Sequence, residues 1–349
     1  MTKSGSKVGA VIVDYVKDHP HCSSKQIHEG IGKEWGYATI KRSLLILISE
    51  NLIATHGNGK GTKYEISRSY ELLIPIDPDK YFQKEIDERE IKSDFNHSLI
   101  ADQWKDILFF TEQEHEFLDQ LQNTFNKNIE GLTPKEFKRE FERLAIDLSW
   151  KSSQIEGNTY SLLETEHLLK EQQTASGKTR DEATMLLNHK AALDFILEHP
   201  DYIQPLSIAC IEDIHSLLIK DLNVERNIRQ RRVGITGTNY RPLDNEFQIR
   251  ESLQKMCSFI NSRNDVFEKA LLALMLISYI QPFTDGNKRT ARIISNAILM
   301  NYKYCPLSFR TVDPIDYKKA MLIFYEQNNI SMFKKIFIAQ FDFAVRTYF

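Results

Sequence analysis

The sequence predicts an all-α helical core carrying one small β-hairpin, preceded by a small α+β domain. Three observations carry this expectation. From about Gln103 to the C-terminus, apolar residues recur at helical spacing in one segment after another. One of these, Val266–Ile280 (VFEKALLALMLISYI), is apolar on nearly every face and belongs at the centre of a bundle. Before about residue 68 the pattern instead gives three helices and then two short strands around a glycine-rich turn.

Taken in order, Val8–Lys17 is amphipathic, and Ser23 or Ser24 supplies an N-cap for a second helix through about Gly30. Tyr37–Glu50 forms a third, with Ile40, Leu44, Leu47 and Ile48 facing inward. Leu52–Ala54 and Thr62–Ile66 flank the turn Thr55-His56-Gly57-Asn58-Gly59-Lys60-Gly61. Residues 1–67 thus resemble a winged helix-turn-helix domain, a fold met mostly in DNA binding. The resemblance places Thr39, Lys41 and Arg42 on the recognition helix and Lys60 and Lys63 on the wing, where phosphates and grooves are contacted. Over this stretch nine basic residues, including Lys3 and Lys33, oppose six acidic ones. Double-stranded DNA is the expected partner, with protein docking or dimerisation the other use of such a domain. Residues 68–100 read as a linker and connecting helix, with Pro75, Pro78 and a solvated helix over Glu85–Glu90. Residues 101–349 form the second domain. Its helices are expected near Glu112–Asn126, Pro134–Gln154, Ser161–Lys170, Asp181–Glu198, Ser207–Asp221, Asn245–Asn261, Pro314–Asn328 and Ser331–Phe349, beside those at 266–280 and Asn287–Asn301.

Composition narrows the function classes. The 349 residues carry a formal charge of −3, which gives no global nucleic-acid signal. The four cysteines (Cys22, Cys210, Cys257, Cys305) lack paired spacing, so reduced thiols are expected and no metal cluster is suggested. Met1–Ser6 is short and polar, unlike a signal peptide, and the apolar stretch Ala270–Ile280 is too short to span a bilayer. The chain reads as soluble and cytoplasmic, with no membrane partner.

The chemistry concentrates where the apolar helix stops. Pro282 ends it, Gly286 permits a tight bend, and the chain re-enters a helix at Asn287. Free N–H groups at that N-terminus form an anion site. Asp285 could hold Mg²⁺ against phosphate oxygens. Arg289 and Arg292, spaced i,i+3, point from one helix face.

The run Gln281-Pro282-Phe283-Thr284-Asp285-Gly286-Asn287-Lys288-Arg289-Thr290-Ala291-Arg292 resembles the signature of the Fic family of nucleotide-dependent protein modifiers, His-Pro-Phe-x-Asp/Glu-Gly-Asn-Gly-Arg-x-x-Arg. It departs twice, with Gln281 for the histidine and Lys288 for a glycine. The resemblance implies ATP with Mg²⁺ as the nucleotide, Asp285 as metal ligand, and Gly286, Asn287, Lys288, Arg289 and Arg292 as its cradle. A second segment, Trp150–Asn158, resembles the family's inhibitory motif Ser/Thr-x-x-x-Glu-Gly/Asn through Ser152, Glu156 and Gly157. In that motif the glutamate pairs with the second signature arginine, here Arg292. A third, Val233–Pro242, reads as a short hairpin and resembles the flap on which a target chain docks as an added strand, through Val233, Ile235, Gly237, Thr238 and Tyr240.

In the family the signature histidine takes the proton of a Ser, Thr or Tyr hydroxyl that attacks the α-phosphate of ATP. Gln281 has no such nitrogen, and loss of a positioned base costs ~10²–10⁴-fold in rate. The expectation is an autoinhibited protein adenylyltransferase with weak or absent activity, modifying a partner or itself. One alternative is a non-catalytic, nucleotide-responsive regulator acting through DNA, with a homodimer within its scope. The other, prompted by Gly-Asn-Lys-Arg, is a phosphotransferase of the death-on-curing type. His189 and His215, considered as substitute bases, read as structural histidines in apolar helices.

Overall fold

Helix α1 (Lys7–Asp18) buries Ile12, Val13 and Val16 against α3 (Tyr37–Ser49), whose Ile40, Leu44 and Leu47 are buried in turn. In this computed structural model, residues 7–32, 34–100, 104 and 107–349 are described; Lys3, Lys33, Met1–Ser6 and Gln103 lie outside them. Of the two candidate caps for α2 (Ser24–Gly30), Ser23 serves. Its hydroxyl accepts from the Gln26 N–H, and the Gln26 side chain accepts from the Ser23 N–H. The strands β1 (Ile53–His56) and β2 (Lys63–Ile66) pair antiparallel from Ile53↔Ile66 to His56↔Lys63. This ribbon is the one sheet among the described residues.

The connection differs from the expected solvated helix. It contains two single-turn helices, α4 (Tyr70–Leu73) and α5 (Pro78–Tyr81), a 3₁₀ turn at Ile86–Glu88 in place of the expected helix, and another at His97–Ile100. Four carboxylates in the run Glu85–Glu90 repel one another on a helix. Arg89 instead enters the core, pairing at 3.1 Å with Glu326, and the Tyr81 hydroxyl donates to the same carboxylate at 2.6 Å. Both charged side chains are almost wholly buried.

The remaining helices are α6 (Glu112–Glu130), α7 (Pro134–Ile155), α8 (Leu162–Glu171), α9 (Arg180–Glu198), α10 (Ile208–Leu218), α11 (Glu246–Ser262), α12 (Val266–Ile280), α13 (Asn287–Asn301), α14 (Pro314–Gln327) and α15 (Ser331–Tyr348). Thr111, Thr133, Ser161 and Thr179 each open theirs with a reciprocal capping box. Every residue of α12 is buried, packed by α11, α13 and α14. One apolar cluster runs from Ile12 to Tyr348, so the N-terminal elements share the core of the bundle.

The expected hairpin at 233–242 does not form a ladder. Thr236 and Gly237 make a turn, but the outer arm bonds to the connection rather than to its own inner arm. The Arg241 N–H donates to the Ser93 carbonyl at 2.7 Å, Asn239 Nδ2 to Asp87 at 3.0 Å, and Arg89 Nη2 to the Gly237 carbonyl at 3.3 Å. All four cysteines are free and buried. No helix among the described residues is long and apolar enough to cross a membrane.

Candidate functional site

Helix α12 stops at Ile280, and Gln281 turns the chain in the left-handed region at φ 52° and ψ 58°. A buried arginine holds that turn. Arg229 Nε donates to the Gln281 carbonyl at 2.6 Å, its other nitrogens donate to the carbonyls of Arg231 and Leu243, and its backbone N–H donates to the Pro282 carbonyl at 3.0 Å. Sequence reasoning missed Arg229, because nothing local marks a guanidinium destined for backbone carbonyls.

Asn287 ties the far side of the loop. Its Oδ1 accepts from the Phe283 N–H at 2.8 Å, while Nδ2 donates to the Phe283 carbonyl at 2.9 Å and to Gln281 Oε1 at 3.0 Å. Gln281 Nε2 donates to the Ser278 carbonyl at 2.6 Å, so its carboxamide is bonded at both ends. Gly286 has φ 79°, a backbone conformation that disfavours any side chain, and a Cβ there would lie 3.4 Å from the His215 ring. That ring stacks parallel on Phe283 at 3.6 Å, with its two nitrogens facing the carbonyls of Arg226 and Asp285. Burial takes the His215 pKa down to about 4, leaving the ring neutral at pH 7. His189 is fully buried, neither of its ring nitrogens meets a partner among the described residues, and burial with Arg292 and Arg289 nearby holds its pKa well below the usual value. Neither histidine lines the cavity beside the loop.

The two signature arginines separate in role. Arg289 Nη2 donates to Asp285 Oδ2 at 2.9 Å, yet its buried Nε and Nη1 have no hydrogen-bond partner among the described residues. Arg292 is wholly buried: Nε donates to the Ser152 hydroxyl at 2.8 Å, Nη2 to the Ser152 carbonyl at 3.0 Å and to Glu156 Oε1 at 2.6 Å. Its guanidinium lies over the Tyr317 ring at 5.2 Å. Glu156 caps the C-terminus of α7, and Gly157, at φ 98°, turns the chain away. The other carboxylate oxygen of Glu156 accepts from Lys288 Nζ at 2.9 Å. Burial pushes the Glu156 pKa up, but Arg292 and Lys288 overcome it and carry it down to about 2.

Glu156 and Lys288 border a cavity of ≈ 320 Å³, while Arg289 and Arg292 are buried behind its lining. Gln281 and Asp285–Lys288 form one wall, Glu156 another, and Gly234–Thr236 a rim. A fourth wall comes from α14 through Tyr317, Lys318, Met321, Leu322 and Tyr325, none of which was predicted. Their only sequence signal is the i, i+4, i+8 spacing of 317, 321 and 325. Asp285 exposes a single carboxylate beside the unpartnered nitrogens of Arg289. One hard oxygen ligand beside a helix N-terminus is a donor set that fits Mg²⁺, which takes few protein ligands and keeps water in the rest of its shell.

The flap residues divide. Val233 and Ile235 are half-buried, and Ile235 sits at the cavity rim. Gly237 lies at φ 95° against Leu322, and the Thr238 hydroxyl accepts from the Tyr240 N–H at 3.1 Å to hold the turn. Tyr240 is not available for docking. It is 2% exposed, stacks on Tyr279 at 4.7 Å, and donates its hydroxyl to the Tyr279 carbonyl at 3.0 Å. Its ring is large and apolar enough to anchor the flap to α12. Thr39, Lys41, Arg42, Lys60 and Lys63 are all exposed on α3 and the ribbon, apart from the cavity.

Residues 205–299, from before α10 to near the end of α13, match the Fic/DOC family. The chain is similar to the protein adenylyltransferase fic-1 of Caenorhabditis elegans, 29% identical over 163 residues that cover 44% of this chain and 31% of that protein. It is likewise similar to the protein adenylyltransferase Fic of Nematostella vectensis, 29% identical over 196 residues covering 52% and 43%. The chain thus spans less than half the length of these relatives. Two solved structures share the fold. A fragment of C. elegans Fic-1 aligns at TM-score 0.58 and 21% identity over 68% of this chain and 72% of that one. A Fic domain-containing signaling protein from Bacteroides thetaiotaomicron aligns at TM-score 0.57 and 21% identity over 66% and 94%.

Proposed function

We propose that this chain is an autoinhibited, ATP-binding protein adenylyltransferase whose turnover is weak or absent because Gln281 replaces the general base. The observation that carries the reading is the Glu156 carboxylate, held between Arg292 and Lys288 at the wall of the cavity. A polyphosphate entering beside α13 needs the Arg292 guanidinium that Glu156 holds, so Glu156 competes with it. With Glu156 displaced, the N-terminus of α13 and the free nitrogens of Arg289 and Arg292 would receive phosphate oxygens. Asp285 would hold Mg²⁺, which when bound neutralises phosphate charge.

In adenylyl transfer a target hydroxyl oxygen bonds to the α-phosphorus, the bond to pyrophosphate breaks, and the hydroxyl proton must leave. Gln281 cannot take that proton; its Oε1 can only accept a hydrogen bond. A target chain, another protein or a second copy of this one, would lie along the inner arm at Val233 and Ile235. That arm has no strand partner among the described residues.

The test is incubation with ATP labelled separately at the α and γ positions. Glu156→Gly combined with Gln281→His should transfer the α label, and Asp285→Ala should abolish the transfer. Transfer of the γ label would favour the death-on-curing type of phosphotransfer, although the engagement of Lys288 by Glu156 favours the inhibitory reading. A double variant that binds ATP but modifies neither itself nor added protein would favour the regulator. The amide of Gln281, bonded at both ends, supports that second reading, in which ATP alters how residues 1–67 engage DNA or a protein.

A further inference from the structure

We propose that His21, His56 and Glu65 form a binding site for a divalent transition-metal ion of the zinc class, on the ribbon and far in sequence from the cavity. The three donors come from separate segments: the connection between α1 and α2, the end of β1, and β2. Backbone hydrogen bonding brings them together. The Tyr64 N–H donates to the Cys22 carbonyl at 2.8 Å, which lays His21 beside Glu65. His21 is itself in the left-handed region at φ 60°. His56 is diagonal to Glu65 across the ribbon, within reach for long side chains.

His56 Nε2 lies 2.5 Å from Glu65 Oε1, and His21 Nδ1 lies 3.4 Å from Glu65 Oε2. All three ligand atoms fall within 4.8 Å of one another. Tetrahedral zinc with ordinary bond lengths separates its donors by about 3.3 Å. Small rotations of exposed side chains would meet that, since the two imidazoles are 63% and 57% exposed. Two imidazoles and a carboxylate form a mixed nitrogen and oxygen set that suits Zn²⁺, Co²⁺ or Ni²⁺ over Mg²⁺ or Ca²⁺. Water completes the coordination. The bound ion cross-links the α1–α2 connection to both strands and so fixes the ribbon that carries Lys60 and Lys63.

The test uses the untagged 349-residue chain, with Co²⁺ followed by visible absorption and Zn²⁺ by calorimetry at neutral pH. One equivalent should bind. His21→Ala, His56→Ala and Glu65→Gln should each weaken it by roughly tenfold or more, while His28→Ala should not. Zn²⁺ should raise the melting temperature of the wild-type chain but not of His56→Ala, and circular dichroism should show the variants folded. Unsaturable uptake at millimolar metal, or wild-type affinity in His21→Ala and His56→Ala, would overturn the site.

Discussion

Glu156 is the residue on which the cavity turns, and its electrostatics set a pH window. Its folded-state pKa is depressed from 4.5 to about 2, so its contribution is complete above pH 4.5 and lost only as pH falls toward 2. The ratio of ATP affinities between Glu156→Gly and the unaltered chain should therefore be flat from pH 6 to 8. A titration within that range, measured by calorimetry, would contradict the ion pairs. Lys288 makes the second contact but is a third exposed, so its pair is worth less than that of buried Arg292. Lys288→Met should raise ATP affinity by at most about fivefold, well short of Glu156→Gly. Should it lower affinity instead, Lys288 would be a phosphate ligand first.

Among the elements, the flap and the connection act as one unit. The flap hangs from α12 by Tyr240 and from the connection by Arg89, Asp87 and Ser93. Tyr240→Phe should cost about 1 kcal/mol through the lost hydroxyl bond, and Tyr240→Ala about 3 to 5 kcal/mol through the cavity it leaves. Denaturant titrations would check both. Arg89→Ala should be as severe, about 3 to 5 kcal/mol, because Glu326 would remain charged in a buried site. Near-wild-type stability in that variant would mean that the pair is solvated.

Across the whole molecule, the exposed basic residues of α3 and the ribbon are continuous through one core with the cavity-bearing bundle. If residues 1–67 bind duplex DNA, alanine at Lys41, Arg42, Lys60 and Lys63 together should flatten the logarithmic salt dependence by about 3 to 4 units. Absence of any mobility shift by the unaltered chain at low salt would assign this face to protein docking.

What the sequence determined by itself was local. Helix spans came through within a few residues because periodicity and capping are read within one turn, as with Ser23 and Gln26 or Thr133 and Glu136. The loop from Gln281 to Arg292 was legible for the same reason, and so was the left-handed need at Gly286. The pairing of Glu156 with Arg292 was reached only through the family resemblance. Tertiary structure alone decided the rest. It gave Glu156 a second partner 132 positions away, sank Tyr240 into the aromatic core, and bonded the outer flap arm to residue 93. It also gathered His21, His56 and Glu65, whose spacing follows no motif. Each of these depends on which apolar faces meet in the core, and a surface shared by distant segments leaves no local pattern in any of them.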